Sequence, residues 1–160
     1  MSSARSITLG STIGGCLIND NKATIFWVGD VKIIHVRNNQ IKFESEDHSL
    51  INHLKRKGNI SGNLNLDSIR NVVTKSIKGE VNKFNPDIVE IKPAPSDKIL
   101  ICSDGILEIK KLTDIAKMNL STEVELENLK NKCKNNSDNS SLIILQFQKN
   151  ANKTEITNFD

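Results

Sequence analysis

The sequence predicts an α+β domain in which two antiparallel β-sheets are flanked by helices. Three observations lead to this fold class. Short apolar segments separated by turn residues fill the first third of the chain, two helical patterns follow, and apolar segments return after Pro86. Runs of strands with helices grouped between them are typical of layered domains whose helices cover the outer faces of the sheets.

Four strands are predicted in the first third of the chain, over residues 13–18, 23–28, 31–37 and 40–44. The connections between them are residues 19–22, Gly29-Asp30 and Asn38-Asn39, which are mostly residue types that tolerate a positive φ. Connections this short join neighbouring antiparallel strands. We therefore expect this third of the chain to form an antiparallel meander.

Two helices are predicted next. The first has its N-cap at Ser45 or Asp47 and ends before Gly58, since glycine is common just after the last turn of a helix. The second starts near Asp67 and has apolar residues at the helical spacing i, i+3, i+4 and i+8. The apolar residues of the two helices are Leu50, Ile51 and Leu54 in the first and Ile69, Val72, Val73 and Ile77 in the second.

Strands return in the second half of the chain, over residues 87–91, 98–102 and 142–147. Before the last of them, a short helix follows Thr113 and a longer helix runs from Ser121 or Thr122 to about Lys134. We expect residues 10–147 to form one domain, preceded by an N-terminal extension of residues 1–9. Residues 148–160 are predicted to be a polar, disordered tail.

The composition excludes several classes of protein. A chain of 160 residues, 37% of them hydrophobic, is long enough for one core and too short for two. The net charge of +3 is small and the lysines are scattered among acidic residues, so no nucleic acid partner is expected. The three cysteines lack the spacing of a zinc site or a disulfide framework, and no apolar run reaches membrane-spanning length. We therefore expect a cytoplasmic protein without a membrane partner.

Three aspartates at the ends of predicted strands are the candidate functional residues. Asp30 follows the second strand, Asp104 follows the strand over residues 98–102, and Asp138 precedes the last strand. If these strand ends lie on one rim, the carboxylates converge, and converging carboxylates suit the hard cations Mg²⁺ and Mn²⁺. Each aspartate taken alone is also a common turn or helix-cap residue. The residues themselves leave both interpretations open.

Other catalytic patterns are weaker. The three histidines lack metal-binding spacing. Asp47, His48 and Ser49 have the side chains of a hydrolase triad, but contiguous residues cannot bring three side chains onto one reacting atom. We therefore predict that Asp47 and Ser49 belong to the start of a helix. The segment from Gly10 to Gly14 lacks the lysine and the spacing of a phosphate-binding loop.

Seven short motifs occur in a fixed order within residues 10–147. They are Gly10-Ser-Thr, Val28-Gly-Asp30, Glu46-Asp-His-Ser49, Arg70-Asn-Val-Val-Thr74, Pro86-Asp87, Ile101-Cys-Ser-Asp-Gly105 and Asp138-Asn139. This order resembles that of the metal-dependent protein phosphatases of the PPM family, type 2C, and of their bacterial members in particular.

The resemblance implies a β-sandwich of two antiparallel sheets flanked by helices, with a two-metal Mg²⁺ or Mn²⁺ centre at one end. It also implies hydrolysis of phosphoserine and phosphothreonine in protein substrates by a metal-activated water. Asp104 and Asp138 match the ligands of one core metal, and Asp30 matches the aspartate associated with a further, weakly held ion. The resemblance assigns no substrate-binding residue in this chain.

The chain departs from the family pattern at its start. Family members begin with an Asp-Gly-x-Gly-Gly motif, whose aspartate bridges both metals, and with an early arginine for the substrate phosphate. Neither has a match here, and Arg5 lies in no matching context. We therefore expect an incomplete metal centre, and either a second copy or a partner protein that completes the sandwich. The alternative function is that of a pseudophosphatase, which binds a regulatory protein without chemistry.

Overall fold

The structure is a computed structural model that describes residues 10–58, 69, 72–78, 85–119, 122–148 and 156–158. Within these ranges the chain forms eight strands and four helices. The strands are β1 (Ile13–Asn19), β2 (Lys22–Val28), β3 (Lys32–Arg37), β4 (Gln40–Glu44), β5 (Asp87–Ile91), β6 (Lys98–Cys102), β7 (Leu142–Gln146) and β8 (Ile156–Asn158). The helices are α1 (Leu50–Arg56), α2 (Asp104–Ile109), α3 (Leu112–Lys117) and α4 (Glu123–Cys133).

Two antiparallel sheets enclose the first apolar core. One sheet has the order β1-β2-β5 and the other the order β4-β3-β6-β7-β8. Alternate residues of β2 are buried, and Ala23, Ile25 and Trp27 contact Ile33 and Ile99 of the larger sheet. This alternation is the pattern of a strand with one face in the core and one face outside. The expected pair of antiparallel sheets is confirmed.

A second core lies between the larger sheet and helices α2, α3 and α4. Leu100 and Cys102 of β6 contact Ile106, Ile115 and Leu129 from these helices. Because the neighbouring residues of β6 enter the first core, the strand is buried on both faces. This explains its continuous apolar run, as the sequence predicts.

The backbone confirms the predicted turn residues but not the expected meander, because β2 and β3 lie in different sheets and only β1-β2 and β3-β4 are hairpins. Asp20, Gly29, Asn38 and Asn39 all have a positive φ, and each lies in the connection between two consecutive strands. Gly58, with φ of 67°, follows α1 as predicted.

No helix among the described residues combines the length and the apolar character that a membrane crossing requires.

The second predicted helix is wrong where the structure describes it. Residues 59–68, 70 and 71 lie outside the described residues, and residues 72–78 contain no α-helix. Val73 instead forms an isolated β-bridge with Ser49, and Ile77 forms one with Ser11. The β-branched residues Val72, Val73 and Thr74 favour this extended backbone, and their hydrogen bonds to the neighbouring loop override the helical spacing.

Three local predictions need correction. The N-cap of α1 is Ser49, whose hydroxyl accepts a hydrogen bond from the Asn52 amide, rather than Ser45 or Asp47. Helix α2 begins directly after β6, where no helix was predicted, because its six residues are too few to display a helical period. Within the segment predicted to be a disordered tail, residues 156–158 form β8, which pairs with the open edge of β7.

Asp97, just before β6, is the most strongly bonded buried carboxylate among the described side chains. It is 0% exposed. Arg37 binds it with two hydrogen bonds, Nε to Oδ1 at 2.8 Å and Nη2 to Oδ2 at 2.7 Å. His35 Nε2 and the Ala94 amide each lie 2.8 Å from Oδ2. Burial opposes ionisation of Asp97, but these donors outweigh it and lower the pKa to about 2.

This low pKa predicts acid sensitivity. An unfolded aspartate has a pKa of about 4, so the ionised Asp97 stabilises the fold fully above about pH 4. That stabilisation is lost as the pH falls through about 2. We expect the melting temperature, followed by circular dichroism, to fall between pH 4 and pH 2, and to fall less steeply in Asp97→Asn. Equal slopes for the two proteins would contradict this assignment.

Candidate functional site

The strand register brings the three candidate aspartates to one end of the larger sheet. Lys32, the first residue of β3, pairs with Cys102, the last residue of β6. Cys102 in turn pairs with Leu142, the first residue of β7. Asp30 lies two residues before β3, Asp104 two residues after β6, and Asp138 four residues before β7. We call this end of the sheet, with its three aspartates, the acidic rim.

Electrostatics agree with this placement. Burial is the largest cause of a raised pKa at Asp104, and the negative charges of Asp30 and Asp138 raise it further. One hydrogen bond from the Gly105 amide to Asp104 Oδ1, 3.0 Å long, acts in the opposite direction. Asp104 is therefore repelled by the other two carboxylates of the acidic rim, and a cation beside it would relieve the repulsion.

Local hydrogen bonds fix the loops that carry Asp104 and Asp138. The Ser103 amide donates to the Ser141 carbonyl, and the Ser141 amide donates to Ser103 Oγ. Both hydrogen bonds are 3.0 Å long. The Asn139 amide donates to Asp138 Oδ1 at 2.7 Å. Asp104 and Asp138 thus each accept a hydrogen bond from the next amide in the chain. Asp104 is the first residue of α2 and Ser103 is its N-cap, so Asp104 does not cap the helix.

A cavity of about 280 Å³ adjoins the acidic rim. Asp30 and Asp104 line it, and Asp138 does not. Its other lining residues are polar and apolar side chains of the loop before α1, of α1 and of α2, namely Asp47, Ser49, Ile51, Asn52, Lys55, Leu107 and Glu108. The cavity therefore combines carboxylates with the ammonium group of one lysine.

Sequence reasoning missed two charged residues of this cavity. Glu108 lies four residues after Asp104 on α2, a spacing that places two side chains on the same face of a helix. Lys55 lies on the exposed side of α1 and reads as an ordinary solvated helix residue. Because α2 is too short to be predicted from the sequence, the i, i+4 pair could not be recognised either, and nothing local distinguishes Lys55.

Asp47 is held in place by neighbours on both sides. Its Oδ1 accepts hydrogen bonds from Ser49 Oγ and Asn52 Nδ2, and its Oδ2 lies 3.9 Å from Lys32 Nζ. Lys32 is 7% exposed and also donates to the Ser45 carbonyl at 2.8 Å and to Glu44 at 3.2 Å. The lysine that begins β3 therefore anchors the loop at the wall of the cavity. The predicted placement of Asp47 and Ser49 at a helix start is confirmed.

The donor atoms at the acidic rim are those that a hard cation prefers. The available groups are carboxylate oxygens, and Mg²⁺ and Mn²⁺ are bound mainly by oxygen. Among the described residues, no group of three histidine, cysteine, aspartate or glutamate side chains is arranged to hold a metal ion. The chemistry of the rim thus fits such a cation, while its present geometry is that of separate carboxylates.

Curated relatives of the chain are bacterial phosphatases. No protein-family model matches the chain. The serine/threonine phosphatase stp of Listeria welshimeri is 24% identical over 143 residues, which are 86% of this chain and 57% of the relative. The protein phosphatase PhpP of Streptococcus pneumoniae is 29% identical over 99 residues, 61% of this chain and 40% of the relative. The chain thus spans about half the length of these relatives.

Solved structures with this fold include the serine/threonine phosphatase of S. agalactiae, with a TM-score of 0.72 and 23% identity. That match covers 87% of this chain and 60% of the neighbour. The catalytic domain of the phosphatase PstP, in complex with two manganese ions, matches with a TM-score of 0.65 and 16% identity over 84% of this chain and 57% of the neighbour. The fold is therefore one that serine/threonine phosphatases share.

Proposed function

We propose, from the premise that this chain is a relative of the bacterial PPM-family phosphatases, that it is a Mg²⁺- or Mn²⁺-dependent protein serine/threonine phosphatase whose site is the acidic rim. The observation that carries the proposal is the strand register, which gathers Asp30, Asp104 and Asp138 at one end of the larger sheet. The relatives stp and PhpP, which are protein phosphatases, suggest the reaction class. The solved phosphatase structures share its fold.

Each residue of the acidic rim has a proposed role. Asp104 and Asp138 would hold one divalent cation, and Asp30 would hold a second, weaker one. Bound there, Mg²⁺ or Mn²⁺ would neutralise charge on the phosphoryl oxygens and activate a water for attack on phosphorus. Lys55 lines the same cavity and would face the phosphate group of a phosphoserine or phosphothreonine protein. Among the described residues no three histidine, cysteine, aspartate or glutamate side chains are already arranged around one ion, so we propose weak activity for this chain alone.

The first test is a calorimetric titration of Mn²⁺ into the chain and into Asp104→Asn and Asp138→Asn. Each variant removes one negative charge while keeping the size of the side chain, so Mn²⁺ affinity is expected to fall at least about tenfold in both. Asp114→Asn is the matched control, because Asp114 is exposed on α3 and outside the rim. Wild-type affinity in both rim variants, or no Mn²⁺ binding by the wild type, would contradict the proposed site.

Hydrolysis is tested separately, with a phosphothreonine peptide as the probe and inorganic phosphate release as the measurement. We expect slow, Mn²⁺-dependent release that Asp104→Asn abolishes and that addition of an N-terminal segment from a full-length relative increases. A metal-binding chain that stays inactive with the added segment would contradict the enzyme and favour the second candidate below.

The second candidate is a pseudophosphatase, a protein-binding module with the phosphatase fold. It is favoured by one observation, that Asp104 and Asp138 each already accept a hydrogen bond from the next backbone amide. Carboxylates held in this way can stabilise a turn without binding an ion. This candidate predicts that a phosphopeptide or regulatory protein binds equally well with and without Mn²⁺ and in Asp104→Asn.

A further inference from the structure

His48 holds the turn that carries Asp30. The Gly29 amide donates to His48 Nδ1 at 2.9 Å, and the His48 amide donates to the Gly29 carbonyl at 2.8 Å. Both backbone polar groups of the residue immediately before Asp30 are therefore bound by a single residue. His48 is 7% exposed, so water does not compete freely for these hydrogen bonds.

The imidazole ring is itself fixed by its other contacts. A ring whose Nδ1 accepts a hydrogen bond carries its hydrogen on Nε2, and His48 Nε2 lies 3.3 Å from Asp87 Oδ2. The other oxygen of Asp87 accepts from Lys75 Nζ at 2.7 Å. Trp27 stacks on the ring at an interplanar angle of 14° and a centroid distance of 6.5 Å. The ring orientation is thus set from the smaller sheet, through the first residue of β5.

The main chain at His48 is held equally firmly. The Thr74 amide donates to the His48 carbonyl at 2.7 Å, and Thr74 Oγ1 donates to the same oxygen at 2.8 Å. On the opposite side, Gly29 has a φ of 102°, and a Cβ there would lie 2.2 Å from Thr12 Cγ2. The turn before Asp30 is therefore confined between Thr12 and His48, and it has little freedom to adjust.

We infer that His48 is a positioning residue for Asp30 at the acidic rim, an inference that rests on the proposed function. It acts through the Gly29 backbone and touches neither substrate nor cation. Replacement of a residue that orients a metal ligand without touching the metal commonly lowers metal affinity about 10–100-fold. Asp87, in contact with Nε2, extends this support to the smaller sheet and fixes which nitrogen faces Gly29.

Two substitutions separate the two sides of the ring. In His48→Asn, the amide oxygen lies near the former position of Nδ1 and can still accept from Gly29, while contact with Asp87 is lost. In His48→Gln, the amide nitrogen reaches the former position of Nε2 and can still donate to Asp87, while the acceptor for Gly29 is lost. Both replace an imidazole with a smaller amide, so each is the matched control of the other.

Calorimetry with Mn²⁺ alone is the first measurement, with melting temperature measured beside it. We expect His48→Gln to lower the affinity for the weaker Mn²⁺, the ion assigned to Asp30, about 10–100-fold and His48→Asn to stay within about threefold of the wild type, with similar losses of melting temperature. A loss of affinity that follows the loss of stability equally in both variants would overturn the inference, because it would indicate a structural role alone.

Nuclear magnetic resonance tests the inference without a metal. We expect the wild-type ring to carry its hydrogen on Nε2, and the backbone resonances of Gly29 and Asp30 to shift in His48→Gln and to remain near wild-type values in His48→Asn. If the wild type binds no Mn²⁺ but this pattern is found, the proposed function fails while the control of the turn by His48 stands. Unchanged Asp30 resonances in both variants would overturn the inference itself.

Discussion

Replacement of Asp97 by alanine is expected to lower the free energy of unfolding by about 3–5 kcal/mol, the usual cost of removing one partner from a buried ion pair. Asp97 is 0% exposed and accepts four hydrogen bonds, two of them from Arg37. Without the carboxylate, His35 and the Ala94 amide lose their acceptor inside the protein, and Arg37 loses its counter-charge. Urea denaturation followed by tryptophan fluorescence measures the change, since Trp27 lies in the adjoining core.

The matched control is Glu90→Ala. Glu90 pairs with Lys22 at 3.2 Å, and both side chains are more than half exposed. Exposed pairs contribute about 0–1 kcal/mol, so we expect almost no change in stability. Asp97→Asn should fall between the two alanine variants, because the amide oxygen can keep one hydrogen bond from Arg37. If Asp97→Ala were as stable as Glu90→Ala, the hydrogen bonds of Asp97 to Arg37 and His35 would not contribute to the stability of the fold.

Replacement of Gly105 by alanine is expected to damage both stability and metal binding. A Cβ at Gly105 would lie 2.4 Å from the Asn139 carbonyl oxygen and 2.9 Å from Ser140 Oγ. Because the first of these atoms is backbone, the loop after Asp138 must move away from α2 to make room. We expect a loss of about 1–3 kcal/mol in unfolding free energy. Mn²⁺ affinity should fall about 10–100-fold as the two aspartates separate.

Gly58→Ala provides the control for the loss of stability alone. Gly58 has a φ of 67°, so a side chain there strains the backbone, yet its Cβ would meet no atom within 4 Å. We expect a stability loss of about 1 kcal/mol with Mn²⁺ affinity unchanged. The two variants are compared by urea denaturation and by calorimetric titration. If Gly105→Ala also kept wild-type affinity, the contact between α2 and the Asp138 loop would not matter to the site.

The strands could be predicted because their signals are local. Alternation in β2, the continuous apolar run of β6, and the turn residues at Asn38 and Asn39 each lie within a few residues of the feature that they determine. The second helix could not be excluded in this way. Its apolar spacing is helical, but Val73 and Ile77 form β-bridges to residues far away in the sequence, and such partners are invisible to a local pattern.

The candidate site was only partly accessible from the sequence. Their positions at strand ends made Asp30, Asp104 and Asp138 candidate residues in the sequence. Their convergence, however, depends on β6 lying between β3 and β7. Nothing near Asp97 in the sequence marks it as a partner of Arg37, because the two residues are 60 positions apart. His48 gave no metal-ligand signal, since it binds a backbone amide instead of an ion. Residues that act through the backbone of another leave no motif.

The central position of β6 also has a consequence for how the chain folds. Strand β1 pairs with β2 and β3 pairs with β4, in each case its neighbour in the sequence. In contrast, β6 joins β3, whose residues precede it by more than 60 positions, to β7, which follows about 40 positions later. Closing loops of this length is entropically costly and slows folding relative to local pairing. During synthesis on the ribosome, the early hairpins can therefore form first. Their apolar inner faces then stay exposed until the residues of β6 emerge, a period in which the nascent chain is open to misassociation.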